Sequence, residues 1–244
     1  MSGHSKWANI KRKKGANDAK RASVFTKIGR EIAVAVKNGG ADPNSNSRLR
    51  DVIAKAKANN MPNDNITRSI KKASGELGNI NYEENVYEGY AAGGVAVIVE
   101  TLTDNKNRTA GDVRHHFDKC GGSMGTSGCV SYMFKKKGVI IVDMEGFDED
   151  SIMEIALEAG AEDVVVDEEV CEIYTDPQDF SSVRDALEQS GKVTIIESNI
   201  DMIPENYITP DEASIPKIRK LIDMLEDNDD VQNVYHNAEL PDEE

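Results

Sequence analysis

The residues in this chain best equipped to act on a ligand are cations with one aromatic ring among them. Trp7, the only tryptophan, follows Lys6, with His4 just upstream and the run Lys11-Arg12-Lys13-Lys14 just downstream. A planar ring among ammonium and guanidinium groups suits base stacking combined with phosphate neutralisation. The cations continue through Lys20, Arg21, Arg30, Arg48, Arg50, Lys55, Lys57, Arg68, Lys71 and Lys72. Residues 1–72 hold seventeen Lys/Arg against five Asp/Glu, a net of +12, whereas the whole chain carries −15, leaving −27 on residues 73–244. A single charge run is usually a solvated helix face. An excess that recurs on a tail and on three successive helices, with acids nearly absent, is the footprint of a module that faces a polyanion, and these residues are the candidate nucleic-acid-binding set.

Other stretches resemble chemistry without completing it. The run Gly121-Gly-Ser-Met-Gly-Thr-Ser-Gly128 has the look of a phosphate cradle but lacks the Gly-Lys-Ser/Thr ending, and a strand pattern rather than a helix follows it. It reads as a contact loop, with Gly121, Gly122, Met124, Gly125 and Gly128 as its candidate residues, because glycines permit close approach of another backbone. His115 and His116 are adjacent, so on a helix they point about 100° apart and do not converge on one metal. The acidic run Glu226-Asp227-Asn228-Asp229-Asp230 lacks the glycine and terminal glutamate of a calcium loop and reads as a solvated turn. Three cysteines, Cys120, Cys129 and Cys171, have no CxxC spacing and read as reduced thiols. No motif for a nucleophile elbow or a metalloprotease occurs. The expectation is therefore no enzyme, no cofactor, no metal and no small-molecule substrate. No apolar run approaches the ~20 residues that cross a bilayer, and no apolar leader precedes the basic module, so a cytoplasmic protein without a membrane partner is expected.

The elements that must position these residues follow from periodicity. A helix over 18–37 has Ala22, Phe25, Ile28, Ile32, Ala33 and Val36 on one stripe, stopped by Gly39-Gly40. A second over 47–58 turns Leu49, Val52, Ile53 and Ala56 inward, and a third runs from Pro62 to Ala73. Residues 1–80 thus read as a basic three-helix bundle of helix-turn-helix size. Beyond it, residues 87–91 read as a strand, and Val95–Thr101, apolar on both faces, as a central strand. A helix over 105–120 and a strand over 130–134 follow. Residues 137–200 give a self-contained β-α-β-β-α-β order, with a helix opening at Asp176-Pro177. Residues 81–136 plus 201–244, with an edge strand at 200–208 and a helix at 214–226, give a second such order. The fold class is multidomain α and α+β, with one ferredoxin-like domain inserted in another.

Several blocks resemble the YebC family: GHSKWANIKRKK, DAKR with FTKIGREI, RLRDVIAKAKANNMPNDNI, GGSMGTSGCVSYMF and LIDMLEDNDDVQNVYHN. Together they extend from residue 3 to residue 237. The resemblance implies a cytoplasmic, non-enzymatic regulator with a helical N-terminal domain and two α+β domains; bacterial members are described as transcriptional regulators, and mitochondrial relatives act as translational activators. Two positions depart from the family pattern: Pro216 near the start of the last long helix, and Ala22-Ser23 where a Gly-Lys pair is usual.

Three functions fit these observations. The basic module binds duplex DNA and regulates transcription, with a helix in the major groove. Alternatively it binds structured RNA on the ribosome as a translation factor, with Trp7 stacked on an exposed base. In the third, the acidic domains dock on a basic protein partner. No dimerising coiled coil is evident, which weighs against operator reading through paired half-sites.

Overall fold

The computed structural model describes residues 18–76, 81–146, 148–167 and 169–241. Its first three helices match the periodicity closely. In α1 (Asp18–Gly39), Ile28, Ile32, Ala35 and Val36 form a buried stripe against Leu49, Val52 and Ala56 of α2 (Ser47–Ala58) and Ile66 of α3 (Asn63–Lys71). Ala22, expected on that stripe, is exposed. At 1.5 Å per residue α1 is about 33 Å long and α2 about 18 Å, and Val24 and Phe25 of α1 also pack on the shared core. Pro62 stands at the N-cap of α3 rather than inside it, and the helix passes after Lys71 into a wider π-type turn over Lys72–Glu76.

One buried side chain joins α1 to α2. The Asn46 amide oxygen accepts from the Leu49 backbone N–H at 3.0 Å, capping α2, while its NH₂ donates to the carbonyls of Ala35 and Gly40, both at 2.8 Å. The end of one helix and the start of the next therefore share a single satisfied amide. Gly39 follows from this: a Cβ there would lie 2.6 Å from the Asn46 amide nitrogen.

The chain divides into two compact units. Lys135–Ile203 form one, and the described residues on either side of that segment form the other. The flanking unit holds α1–α3 and a four-stranded sheet. Its strands are β1 (Glu83–Tyr90), β2 (Ala96–Thr103), β3 (Ser123–Met124) and β8 (Val231–His236), in the order β3-β1-β2-β8, with antiparallel pairing at each step. Helices α4 (Lys106–Lys119) and α7 (Ile215–Glu226) cover one face, where Val97 and Val99 meet Val113, Phe117, Ile218, Leu221 and Leu225. Pro216 lies in the first turn of α7, where its missing N–H has no helical partner to lose.

Two expected strands of this sheet are replaced. Residues 130–134 are not a strand in it: Ser131–Met133 coil into a 3₁₀ turn, and the two-residue β3 pairs with β1 instead, Met124 opposite Gly89 and Ser123 opposite Tyr90. Residues 200–204 belong to the other sheet, and Ile208 makes only an isolated parallel bridge to Ala238. The element order here is accordingly β-β-α-β, then α-β after the intervening unit, and not the β-α-β-β-α-β expected of it.

The intervening unit runs β4 (Phe134–Asp143), α5 (Glu149–Glu158), β5 (Asp163–Val166), β6 (Val170–Thr175), α6 (Phe180–Ser190) and β7 (Thr194–Pro204), a β-α-β-β-α-β order. Its strands lie in the order β5-β6-β4-β7. Ile140 and Val142 of β4 pack with Ile152, Ala156, Val183 and Leu187 of the helices. Helix α6 starts at Phe180, later than Asp176-Pro177 suggested, because the Asp176 carboxylate accepts the Gln178 N–H at 2.9 Å and holds a turn there. At the other end β7 stops at Pro204, on the edge of the sheet, where a missing N–H breaks no ladder.

Candidate nucleic-acid interface

His4, Lys6, Trp7, Lys11, Arg12, Lys13 and Lys14 lie outside the described residues. Lys20 and Arg21 fall in the first turn of α1, whose backbone alone is described at that point. The remaining candidate cations divide into two groups by what they touch.

The first group is engaged within the protein. Arg30 points from α1 into the sheet: its guanidinium donates to the Asp230 carboxylate at 2.5 Å and to the Leu102 carbonyl at 2.9 Å, and it lies 5.4 Å from the centre of the Tyr82 ring. Lys55 of α2 is paired with Glu31 of α1 at 2.8 Å, and Arg48 with Glu84 of β1. Two further α1 residues hold the end of α7 and the acidic turn after it. The Lys27 ammonium donates to the Glu226 carbonyl at 2.6 Å, and Ser23 donates to Asp229 at 3.0 Å. Part of the basic excess of the helices is therefore spent on docking them to their own acidic sheet.

Asp230 is the centre of that docking. It is 4% exposed, and its carboxylate accepts from Arg30, from Arg108 at 2.8 Å, from Thr109 at 2.7 Å and from Thr103 at 3.2 Å. Burial by itself pushes the carboxyl upward, but the donors from Arg108, Thr109 and Arg30 outweigh it and hold the pKa at about 2. The acidic run 226–230 is thus no simple solvated turn, since its last residue is a buried counter-ion.

The second group faces outward. Arg50, Lys57, Arg68, Lys71 and Lys72 are exposed and make no ion pair among the described residues. Arg50 and Lys57 stand seven residues apart on α2 and so share a face; Arg68, Lys71 and Lys72 are spaced three and four residues apart at the end of α3. A Cβ at Gly29 of α1 would lie 3.8 Å from the Ser69 hydroxyl of α3, an ordinary contact, so the packing there does not itself require glycine.

The glycine-rich loop is fastened from below by a residue that loop chemistry alone does not reveal. Glu88 of β1 is 5% exposed, and its carboxylate accepts the backbone N–H groups of Gly128 at 2.7 Å, Val130 at 2.9 Å and Ser131 at 2.8 Å. Burial raises its pKa, but these three donors lower it by more, and the net shift is downward. Within the run 121–128 the Gly128 N–H therefore already holds a carboxylate, and the Gly125 N–H a carbonyl. Of the other loop candidates, Gly125 donates its N–H to the Glu88 carbonyl at 2.8 Å, Met124 is in β3, and Gly121 is exposed. Gly122 is fixed by close approach, since a Cβ would come 2.5 Å from the Tyr90 carbonyl oxygen. Tyr132, in the 3₁₀ turn that Glu88 holds, is 70% exposed.

Among the described residues no group of three or more His, Cys, Asp or Glu is arranged to hold a metal ion, and no helix is long and apolar enough to cross a membrane. Cys171 is buried, and desolvation together with Glu149 and Glu172 pushes its thiol up to about 12.

Comparison with known proteins gives one consistent answer. Residues 5–76 match the family described as the TACO1/YebC protein N-terminal domain, and residues 82–238 match its second and third domain. A protein from Clostridium beijerinckii named "Probable transcriptional regulatory protein" is 61% identical over 241 residues, covering 99% of this chain and 98% of that one. One of the same name from Acetivibrio thermocellus is 60% identical over 239 residues, covering 97% and 98%. The crystal structure of a conserved hypothetical protein from Aquifex aeolicus superposes with a TM-score of 0.83 at 48% identity, covering 93% of each chain. The matched segments account for both the helical module and the two sheets, and the chain belongs to the TACO1/YebC family of regulatory proteins.

Proposed function

We propose that the protein is a non-enzymatic, cytoplasmic regulator of gene expression that acts by binding nucleic acid, with duplex DNA as the ligand of its helical module. The observation that carries this reading is the division of the cations. Arg30, Arg48 and Lys55 are occupied by carboxylates, whereas Arg50, Lys57, Arg68, Lys71 and Lys72 stay exposed and unpaired on α2 and the end of α3. A protein with 44 carboxylates could have neutralised them too, and leaving them exposed costs solubility nothing while offering a row of phosphate contacts. The names of the relatives support a role in transcription.

The test is the salt dependence of binding to a duplex DNA fragment. Each neutralised phosphate contributes a slope of ~0.9 in log affinity against log salt. R50A/K57A/R68A/K71A should flatten the slope by about two to four units while circular dichroism stays unchanged. An unchanged slope would remove this face from the interface. Trp7→Ala, which removes stacking and no charge, should leave the slope alone; loss of affinity for looped RNA only would move the function to translation.

A further inference from the structure

The part of the chain after residue 72 carries only twelve cations, and three of them converge on the base of the glycine-rich loop. Lys119 ends α4, and Lys217 and Lys220 stand three residues apart on α7, the helix packed beside it. The Lys217 side chain passes 3.7 Å from where a Cβ of Gly121 would be. Lys119 and Lys220 both act electrostatically on the Cys120 thiol between them. All three lysines are exposed and unpaired among the described residues.

The loop brings an aromatic ring to the same end of β1. Gly122 lies against the Tyr90 carbonyl, and the Tyr90 phenol is pushed up by burial first and then by the neighbouring Tyr132. Tyr90 in turn donates to the Cys129 carbonyl at 3.1 Å. Glu88 holds the Tyr132 turn through three backbone N–H groups, so the ring is presented on a fixed support and the carboxylate faces inward. The segment 119–133 contains no acid, although residues 73–244 as a whole carry −27.

We infer that Tyr132 with Lys119, Lys217 and Lys220 forms a second contact site, which takes an unpaired stretch of nucleic acid, the ring stacking on a base and the lysines meeting the flanking phosphates. Aromatic stacking beside a short cationic track is what a single strand requires, and bases locked in a duplex cannot reach such a ring. The site deepens the proposed nucleic-acid reading and is separate from the α2 and α3 face.

The experiment uses the full chain with a twelve-nucleotide single-stranded RNA and a duplex of the same sequence. Y132A should weaken the single strand about 5- to 150-fold, leave the salt slope unchanged, and be rescued by Y132W. K217A/K220A should flatten the single-strand slope by about 1.4, two contacts at ~0.7 each. Duplex binding should be almost indifferent to both. R50A/K57A/R68A/K71A separates the two readings: a duplex slope flattened by that variant, with single-strand affinity left unchanged by Y132A, supports the helical face and overturns this site. An unmoved duplex slope with the Y132A loss intact does the reverse. Equal loss on both nucleic acids, or polyglutamate competing as well as RNA and being equally sensitive to Y132A, would overturn the site as an acceptor of unpaired bases.

Discussion

Replacing Asp230 by asparagine tests how the helices are held. In the native protein the Asp230 carboxyl sits at about 2 rather than at its ordinary 3.8. The folded state therefore favours the ionised form, and the difference is equivalent to about 2.5 kcal/mol of stability. That stability is fully present above the ordinary carboxyl pKa and is lost as pH falls from about 3.8 through about 2. Asparagine keeps the shape but removes the charge that faces Arg30, whose side chain is only 15% exposed; Arg108, about half exposed, can turn to water. Leaving one buried partner uncompensated costs about 3–5 kcal/mol, so D230N should lose about 3 kcal/mol at pH 7. Urea unfolding followed by circular dichroism measures it. The gap between D230N and the native protein should narrow by roughly half as pH is lowered to 2.5, and amide exchange in α1 between Val24 and Arg30 should quicken in the variant. A loss under about 0.5 kcal/mol at pH 7, or a gap indifferent to pH, would refute the role assigned to this carboxylate.

Two further outcomes follow from local geometry. Asn46→Ala removes the α2 cap and leaves the Ala35 and Gly40 carbonyls without their donor, so it should cost about 2–3 kcal/mol in thermal or urea unfolding, while Asn44→Ala on the exposed turn should cost little. In native protein at pH 8 a maleimide should label the half-buried Cys129 well before Cys171, whose thiol is buried and held near 12, and Cys171 should react only on unfolding.

What the sequence made legible was whatever depends on neighbours a few residues away. The bounds of α2, the buried faces of the helices and the element order of the intervening unit all follow from periodicity and turn residues. The misread places have distant causes. Val130–Phe134 has the composition of a strand, yet a carboxylate 42 residues earlier takes the N–H of Val130 and bends the segment into a turn. Arg30 looks like any outward cation of a basic helix, and its partner stands 200 residues later in the chain. Asp230 looks like the last member of a solvated acidic run, and nothing local marks it as the buried one. Charge counting located the basic module, but only the folded structure separates cations that dock from cations left exposed. The lysines at the glycine loop escaped notice for a related reason: they come from two helices a hundred residues apart and never form a run.

The pairing of β2 with β8 has a consequence for synthesis. Val97 meets His236 and Thr101 meets Val231, so the central strand of the first sheet emerges from the ribosome roughly 130 residues before the neighbour that completes it. Closing so long a loop is slow compared with local pairing, whereas Lys135–Ile203 contain all the strands of their own sheet and can finish early. During that interval Arg30 and Lys27 have no Asp230 turn to dock on. A nascent chain stalled before residue 230 therefore presents a more strongly cationic set of helices than the finished protein, beside the RNA of the ribosome that is making it.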